Sequence, residues 1–172
     1  FSEHMGSKYA VMVNSGSSAN LLMIAALVLD KNIDLNEGDE VIVPTLSWAT
    51  TYYPLQQYKL KSKFVDIDLD TLNIDENAII SAISKKTKAI FAVNVLGNPC
   101  NFKKLNEICK KYKLILIEDN CESLGARYNN KKCGSFGITG SFSFYFSHHI
   151  HTIEGGMVIT DNESIYHHLL SL

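Results

Sequence analysis

Four short segments carry side chains that could do chemistry together. The first is Asn14-Ser15-Gly16-Ser17-Ser18-Ala19-Asn20, set between two apolar stretches. If a helix begins there, its N-terminus offers unpaired N–H groups and the positive end of the helix dipole. Serine hydroxyls add donors, and Gly16 admits a ligand close to the backbone. That is a cradle for one phosphate group. It has neither the lysine of a P-loop nor the glycine spacing of a dinucleotide site, and an ordinary serine cap would read the same way. The second segment, Glu118-Asp119-Asn120-Cys121-Glu122, follows the apolar run 114–117. Carboxylates at the carboxyl end of a strand can hold a cation or a protonated ring nitrogen; a solvated turn is the plain alternative. The third, Thr45-Leu46-Ser47-Trp48-Ala49-Thr50-Thr51, contains the only tryptophan. Its ring could stack on a planar ligand or pack into a core. The fourth runs from Ser141-Phe142-Ser143 to Glu154-Gly155-Gly156 and includes His148, His149 and His151. Adjacent histidines point apart in an extended chain and a His-x-His pair supplies only two ligands. No metal site is therefore expected there, and surface or structural histidines are the bland reading.

The elements that must position these segments alternate between strand and helix. Strands are expected at Tyr9–Val13, Glu40–Pro44, 63–68, 88–96, 114–117, 141–146 and 157–160. Helices are expected at 17–29, 49–59 with Pro54 as a kink or first-turn residue, 75–84 with Asp75 as N-cap, 102–113 and 162–172. In 102–113, Phe102, Leu105, Ile108, Cys109 and Tyr112 share one face. Apolar strands without alternation, separated by helices, predict an α/β fold with a mostly parallel sheet covered on both faces. Ligands of such sheets sit beyond the carboxyl ends of the strands, which selects 14–20, 45–48, 97–98, 118–122 and 147–154.

Composition narrows the function further. The chain has 172 residues, 46% hydrophobic and 20% charged, with a formal net charge of −2. One globular domain is expected, and no basic surface for nucleic acid is implied. The longest apolar run, Leu21 to Leu29, is nine residues, against the ~20 a membrane helix needs. Cys100, Cys109, Cys121 and Cys133 form no CxxC pair, so neither a disulfide scaffold nor zinc is expected and a reducing, cytoplasmic compartment fits. The chain starts without Met and stops inside a helical pattern, which reads as part of a longer protein.

Taken together, Ser-Gly-Ser-Ser-Ala, the tryptophan after a strand, Glu-Asp-Asn-Cys-Glu and Phe-Ser-Phe…Glu-Gly-Gly resemble the sugar aminotransferase and dehydratase branch of the fold type I pyridoxal-phosphate (PLP) enzymes. The resemblance extends over all 172 residues. It implies an aspartate aminotransferase-like, PLP-binding large domain over 1–172, with the C-terminal small domain absent. It also implies roles: Ser17, Ser18 and Ser143 as phosphate ligands, Trp48 stacked on the pyridine ring, Asp119 on the protonated ring nitrogen and Glu122 on the phenolic oxygen.

One departure sets the subclass. The aminotransferases of this branch place their cofactor-anchoring lysine six residues before the Glu-Gly-Gly glutamate, and that position here is His148. No lysine occurs between Cys133 and Leu172. The resemblance therefore implies PLP or its amine form, pyridoxamine phosphate (PMP), held noncovalently. It implies a sugar 3-dehydratase in which His148 is the catalytic residue and moves protons. Two dehydratase types share such a histidine. The stretch around Trp48 and the run Ser147-His148-His149-Ile150 resemble the type acting on GDP-4-keto-6-deoxy-D-mannose, with glutamate regenerating PMP, for dideoxysugar (O-antigen) synthesis. The alternatives are a CDP-sugar dehydratase with an iron–sulfur cluster, a nucleotide-sugar aminotransferase, and an inactive PLP-fold binding protein. A homodimer is implied; nucleic acid and membrane partners are not.

Overall fold

Successive residues of the central strands bury themselves in opposite directions, which is what places a layer of helices on each face. In the computed structural model, which describes residues 1–172, strand β4 (Thr87–Val93) sends Ala89 and Phe91 into one apolar cluster and Ile90 and Ala92 into another. Strand β2 (Glu40–Pro44) divides the same way, with Val41 and Val43 on one side and Ile42 on the other. The first cluster is completed by helices α2 (Gly16–Leu29), α3 (Ala49–Gln57) and α6 (Glu163–Ser171) through Met23, Ile24, Leu27, Leu55, Ile165 and Leu169. The second is completed by α4 (Glu76–Ala82) and α5 (Phe102–Tyr112) through Ile79, Phe102, Leu105 and Ile108.

The remaining strands are β1 (Tyr9–Val13), β3 (Lys61–Val65), β5 (Ile115–Asp119), β8 (Thr139–Ser143) and β9 (Gly156–Thr160), with a small hairpin of β6 (Arg127–Tyr128) and β7 (Lys131–Lys132) outside the sheet. The sheet has seven strands in the order β1-β9-β8-β5-β4-β2-β3. Neighbours from β8 to β3 are parallel, and β9 runs antiparallel to both β8 and β1. The expected mostly parallel α/β sheet is therefore present, with one reversed strand. The carboxyl ends of β2, β5 and β8 open on one side and deliver Thr45–Trp48, Asp119 and Ser143 to it. No helix is long and apolar enough to cross a membrane.

Several element ends differ from expectation, each for a local reason. The strand expected over 88–96 stops at Val93, because Leu96 turns into the left-handed region at φ 51° within a short 3-10 turn, Val95–Gly97. The strand expected over 63–68 starts at Lys61 and ends at Val65. The strand expected over 141–146 is Thr139–Ser143: the Ser-Phe alternation continues past the point where its partners end. Helix 49–59 closes at Gln57, with Lys59 at φ 56°. A one-turn helix α1 (Ser2–Met5) and the β6–β7 hairpin went unread.

Two adjacent carboxylates end β5, and the pleat sends them to opposite faces. Glu118 is fully buried and accepts the N–H groups of Gly134, Phe136 and Gly137, each at 2.6 Å. It ties the loop before β8 to the sheet. Burial outweighs these three donors and pushes its carboxyl up to about 7 from 4.5. A native carboxyl raised in this way binds its proton more tightly than the unfolded chain does. Its stabilising contribution is full below pH 4.5 and is lost as pH rises through about 7. Urea unfolding across that window is expected to show a falling contribution of roughly 1 kcal/mol per pH unit from this group. Glu118→Gln should flatten that part of the profile: stability should be lower by about 1–3 kcal/mol below pH 4.5, because one N–H loses its acceptor, and the deficit should close as pH rises through about 7.

Candidate active site

Asp119 is the buried centre of the open side. It is 5% exposed, and every neighbour bonded to it donates. Its Oδ2 accepts the Thr51 hydroxyl at 2.8 Å and the Asn20 side-chain amide at 2.9 Å, and its Oδ1 accepts the Cys121 N–H at 3.1 Å. Asn20 is fixed in turn. Its carbonyl oxygen accepts from Ser141 Oγ at 2.6 Å, and its amide also reaches the Thr50 carbonyl at 3.4 Å. That carbonyl is free because Pro54, four residues on within α3, has no N–H to give it. Pro54 thus sits inside the helix, and the acceptor it leaves unpaired is used to orient Asn20.

Above this carboxylate lies the N-terminus of α2. Ser15 is its N-cap: its hydroxyl accepts the Ser18 N–H at 3.1 Å, and its carbonyl takes the Ala19 N–H at 2.9 Å. The first two helical N–H groups, of Gly16 and Ser17, have no acceptor inside the helix. Ser17 is exposed, and the Ser18 hydroxyl pairs with Ser15 Oγ at 3.1 Å. Ser143, at the end of β8, lies against this turn. A Cβ on Gly16 would come 2.5 Å from Ser143 Cβ and 3.0 Å from Cys121 Sγ. Glycine is therefore required for α2, β8 and the turn after β5 to meet at one point. Gly156 does the same on the other flank, where a Cβ would lie 2.2 Å from the Ser15 carbonyl oxygen.

The other expected residues surround this point more loosely. Trp48 is the N-cap residue of α3 and is 77% exposed, so it is not a core tryptophan. It stands one turn before Thr51, whose N–H donates to its carbonyl at 3.0 Å. Glu122 lies beyond Asp119, with Oε2 accepting the Leu96 N–H at 2.8 Å. His148 is half-buried in the loop between β8 and β9 and is joined to Ser143 through the backbone. Its N–H donates to the Tyr145 carbonyl at 2.9 Å, and the Tyr145 N–H donates to Ser143 Oγ at 3.2 Å. The loop is closed by Phe144, whose N–H donates to Gly155 and whose carbonyl accepts from Thr152, at 2.8 and 2.9 Å. No group of three or more His, Cys, Asp or Glu side chains is arranged to hold a metal ion.

Residues 1–172 match the DegT/DnrJ/EryC1/StrS aminotransferase family throughout. The chain belongs to this family. It is 59% identical over 172 residues to the GDP-4-keto-6-deoxy-D-mannose 3-dehydratases of Escherichia coli O55:H7 and Yersinia pseudotuberculosis, covering all of this chain and 44% of each relative. A crystal structure of GDP-4-keto-6-deoxymannose-3-dehydratase with a trapped PLP-glutamate geminal diamine superposes with a TM-score of 0.96, at 59% identity, over 99% of this chain and 44% of that one. The chain thus spans less than half the length of these relatives.

Within this aminotransferase-like frame, the start of α2, which carries Ser17 and Ser18, meets Ser143 at Gly16, and Asp119 is tied to the same helix through Asn20; Trp48 begins α3, Glu122 is bonded to Leu96, and His148 lies in the loop after Ser143. The serine cap, the plain alternative for 14–20, is present at Ser15; the structure adds Asn20, Thr51 and Ser47 behind the carboxylate. Asn20 and Thr51 fell inside segments selected as candidates, and a polar residue on the buried side of an otherwise apolar helix was the available signal. The close approach at Gly156 gives a direct check. Because the obstructing atoms are backbone, Gly156→Ala should separate β9 from the start of α2 and lower stability by about 1–3 kcal/mol in urea unfolding. Undiminished stability would mean that this contact does not hold the cradle.

Proposed function

We propose that this chain is the cofactor-binding large domain of a PLP/PMP-dependent nucleotide-sugar 3-dehydratase. Its substrate is GDP-4-keto-6-deoxy-D-mannose, which loses its C3 hydroxyl, and glutamate regenerates PMP. The observation that carries this reading is His148 at the position of the family's anchoring lysine, with no lysine from residue 134 to 172. The 59% identity to two GDP-sugar 3-dehydratases supports the GDP-linked sugar over the CDP-linked one. The reading brings with it a homodimer and a cytoplasmic location.

The donor set fits such a cofactor. Gly16, Ser17, Ser18 and Ser143 offer hydroxyl and N–H donors at a helix N-terminus, the chemistry that binds a phosphate ester. Asp119 offers an acceptor for a protonated ring nitrogen, in a charge-assisted bond roughly twice as strong as a neutral one. Trp48 presents an exposed ring for stacking. Glu122 has its second oxygen for the phenolic position. Bound PMP supplies an amine for the sugar's 4-keto group and a ring that can store an electron pair. His148 supplies the proton transfer: it takes a proton at the cofactor's C4′ carbon and delivers one to the departing hydroxyl. Imidazole moves protons near neutral pH. It forms no stable imine, so the cofactor is retained without a covalent bond.

Two measurements test this on the full-length protein. After incubation with PLP and borohydride, then denaturation, mass spectrometry should find no pyridoxyl group on an active-site lysine. With glutamate, PLP and GDP-4-keto-6-deoxymannose, the wild type should yield a 3-deoxy keto sugar and ammonia. His148→Asn should slow the elimination by ~10²–10⁴-fold while still accepting PMP. Asp119→Asn should abolish turnover with the fold intact. A 4-amino sugar that keeps its 3-hydroxyl, made by the wild type, would instead establish an aminotransferase.

A further inference from the structure

The carboxylate assigned to the ring nitrogen is itself held by side chains that the proposed chemistry does not use. A carboxylate has about four lone-pair sites. On Asp119, Thr51 and Asn20 occupy both sites of Oδ2 and the Cys121 N–H occupies one of Oδ1. The proton directions are forced. Thr51 has one hydroxyl hydrogen and Asp119 receives it, so Ser47 Oγ, 2.7 Å from Thr51 Oγ1, donates to Thr51. Asn20 accepts from Ser141 through its carbonyl oxygen, so its NH2 must face Asp119. Both side chains are buried, Thr51 at 0% and Asn20 at 1% exposure. The other titratable groups near Asp119 do not compete. Burial, with Asp119 adding to it, pushes the Cys121 thiol and the Tyr52 phenol upward, so both stay neutral. Glu118 and Glu122 are turned away, toward the loop before β8 and toward Leu96.

We propose that Thr51, backed by Ser47, and Asn20 are positioning residues for Asp119: they hold it as a pure acceptor and leave Oδ1 as the oxygen that receives the ring proton. None of the three need touch the cofactor. The inference rests on the reading that a pyridoxal cofactor occupies this site, and it predicts an effect that loss of packing alone does not produce. Removing a donor to a buried carboxylate destabilises the charged form, so the site should lose its acceptor at a higher pH.

The test is PLP binding by the full-length protein as a function of pH, followed by absorbance and fluorescence, for wild type, Thr51→Val and Thr51→Ser. Thr51→Val is nearly isosteric and lacks the hydroxyl; Thr51→Ser keeps it. In Thr51→Val the acid limb of PLP binding should move up by about one pH unit, a roughly tenfold loss of affinity on that limb, and in Thr51→Ser it should return to the wild-type position. Thr51→Ala, with the same hydroxyl missing and less bulk, gives the same readout if the valine protein does not fold. A lowered melting temperature with an unmoved acid limb would make Thr51 merely structural and overturn the proposal. Failure of the wild type to bind PLP would overturn the cofactor reading and this inference together. A wild type that binds PLP but makes a 4-amino sugar would overturn the dehydratase reading alone.

Discussion

Burying Asp119 constrains more of this fold than any other single feature. A carboxylate taken out of water costs several kcal/mol unless donors replace the water, and here the donors come from three separate places. Asn20 belongs to α2, Thr51 to α3, and the Cys121 N–H to the turn after β5. The two helices reach Asp119 only because their apolar faces, with Ala19, Met23 and Leu27 on one and Leu55 on the other, pack into the same cluster over the sheet. Folding the core and assembling the site are therefore one event. A change that loosens α2 from the sheet leaves a buried carboxylate short of a donor, and the cost of that shortfall falls on the core.

Close approach is the second constraint, and it is met by absence of side chains. The start of α2 is pressed between Ser143 and β9, with no room for a Cβ at Gly16 or Gly156. Ser15 caps the helix from the same place, so one turn of backbone satisfies its own N–H groups at Ser18 and Ala19 and leaves those of Gly16 and Ser17 without an acceptor inside the helix. Two donors left unpaired at a helix N-terminus are ready for an anion. The Pro54 device works by the same logic in reverse: a helix that gives up one hydrogen bond gains an acceptor where Asn20 needs one.

Much of this was legible in the sequence, and the parts that were not share a cause. Runs such as Val41-Ile42-Val43 and Ala89-Ile90-Phe91-Ala92 have no polar face, so a sheet covered on both sides followed from them directly. Asp119 was legible because it ends such a run. Its neighbour Glu118 was not separable from it, since which carboxylate faces the opening depends on the pleat at the last residues of β5 and on a loop sixteen residues away. Asn20 and Thr51 were hidden for the same reason. Their partner is 99 and 68 residues distant in the chain, and local pattern carries no information about a contact of that range. The strand at 141–146 was displaced because Ser-Phe alternation marks a two-faced strand but does not say where its neighbours stop.

The histidine at position 148 changes what the rest of the site must do. In a family whose aminotransferases tie their cofactor down through a lysine, a covalent bond fixes the ring and the other contacts only refine it. Under the proposed function no such bond exists, so the phosphate cradle, the exposed Trp48 ring and Asp119 carry both retention and orientation. Orientation is the harder of the two. The phosphate contacts fix one end of the cofactor, and Asp119 then sets the rotation of the ring about it. An acceptor free to turn would leave the reacting carbon poorly placed for His148, and misplacement on the order of 1 Å can cost ~10²-fold in rate. The saturated Oδ2 of Asp119 removes that freedom. Its donors lie deep, in Thr51 and Asn20, where water does not compete, while the residue that moves protons sits in the loop between β8 and β9. A rigid acceptor below and a proton carrier in a loop pinned through Phe144 and Tyr145 are the division of labour that noncovalent cofactor chemistry requires.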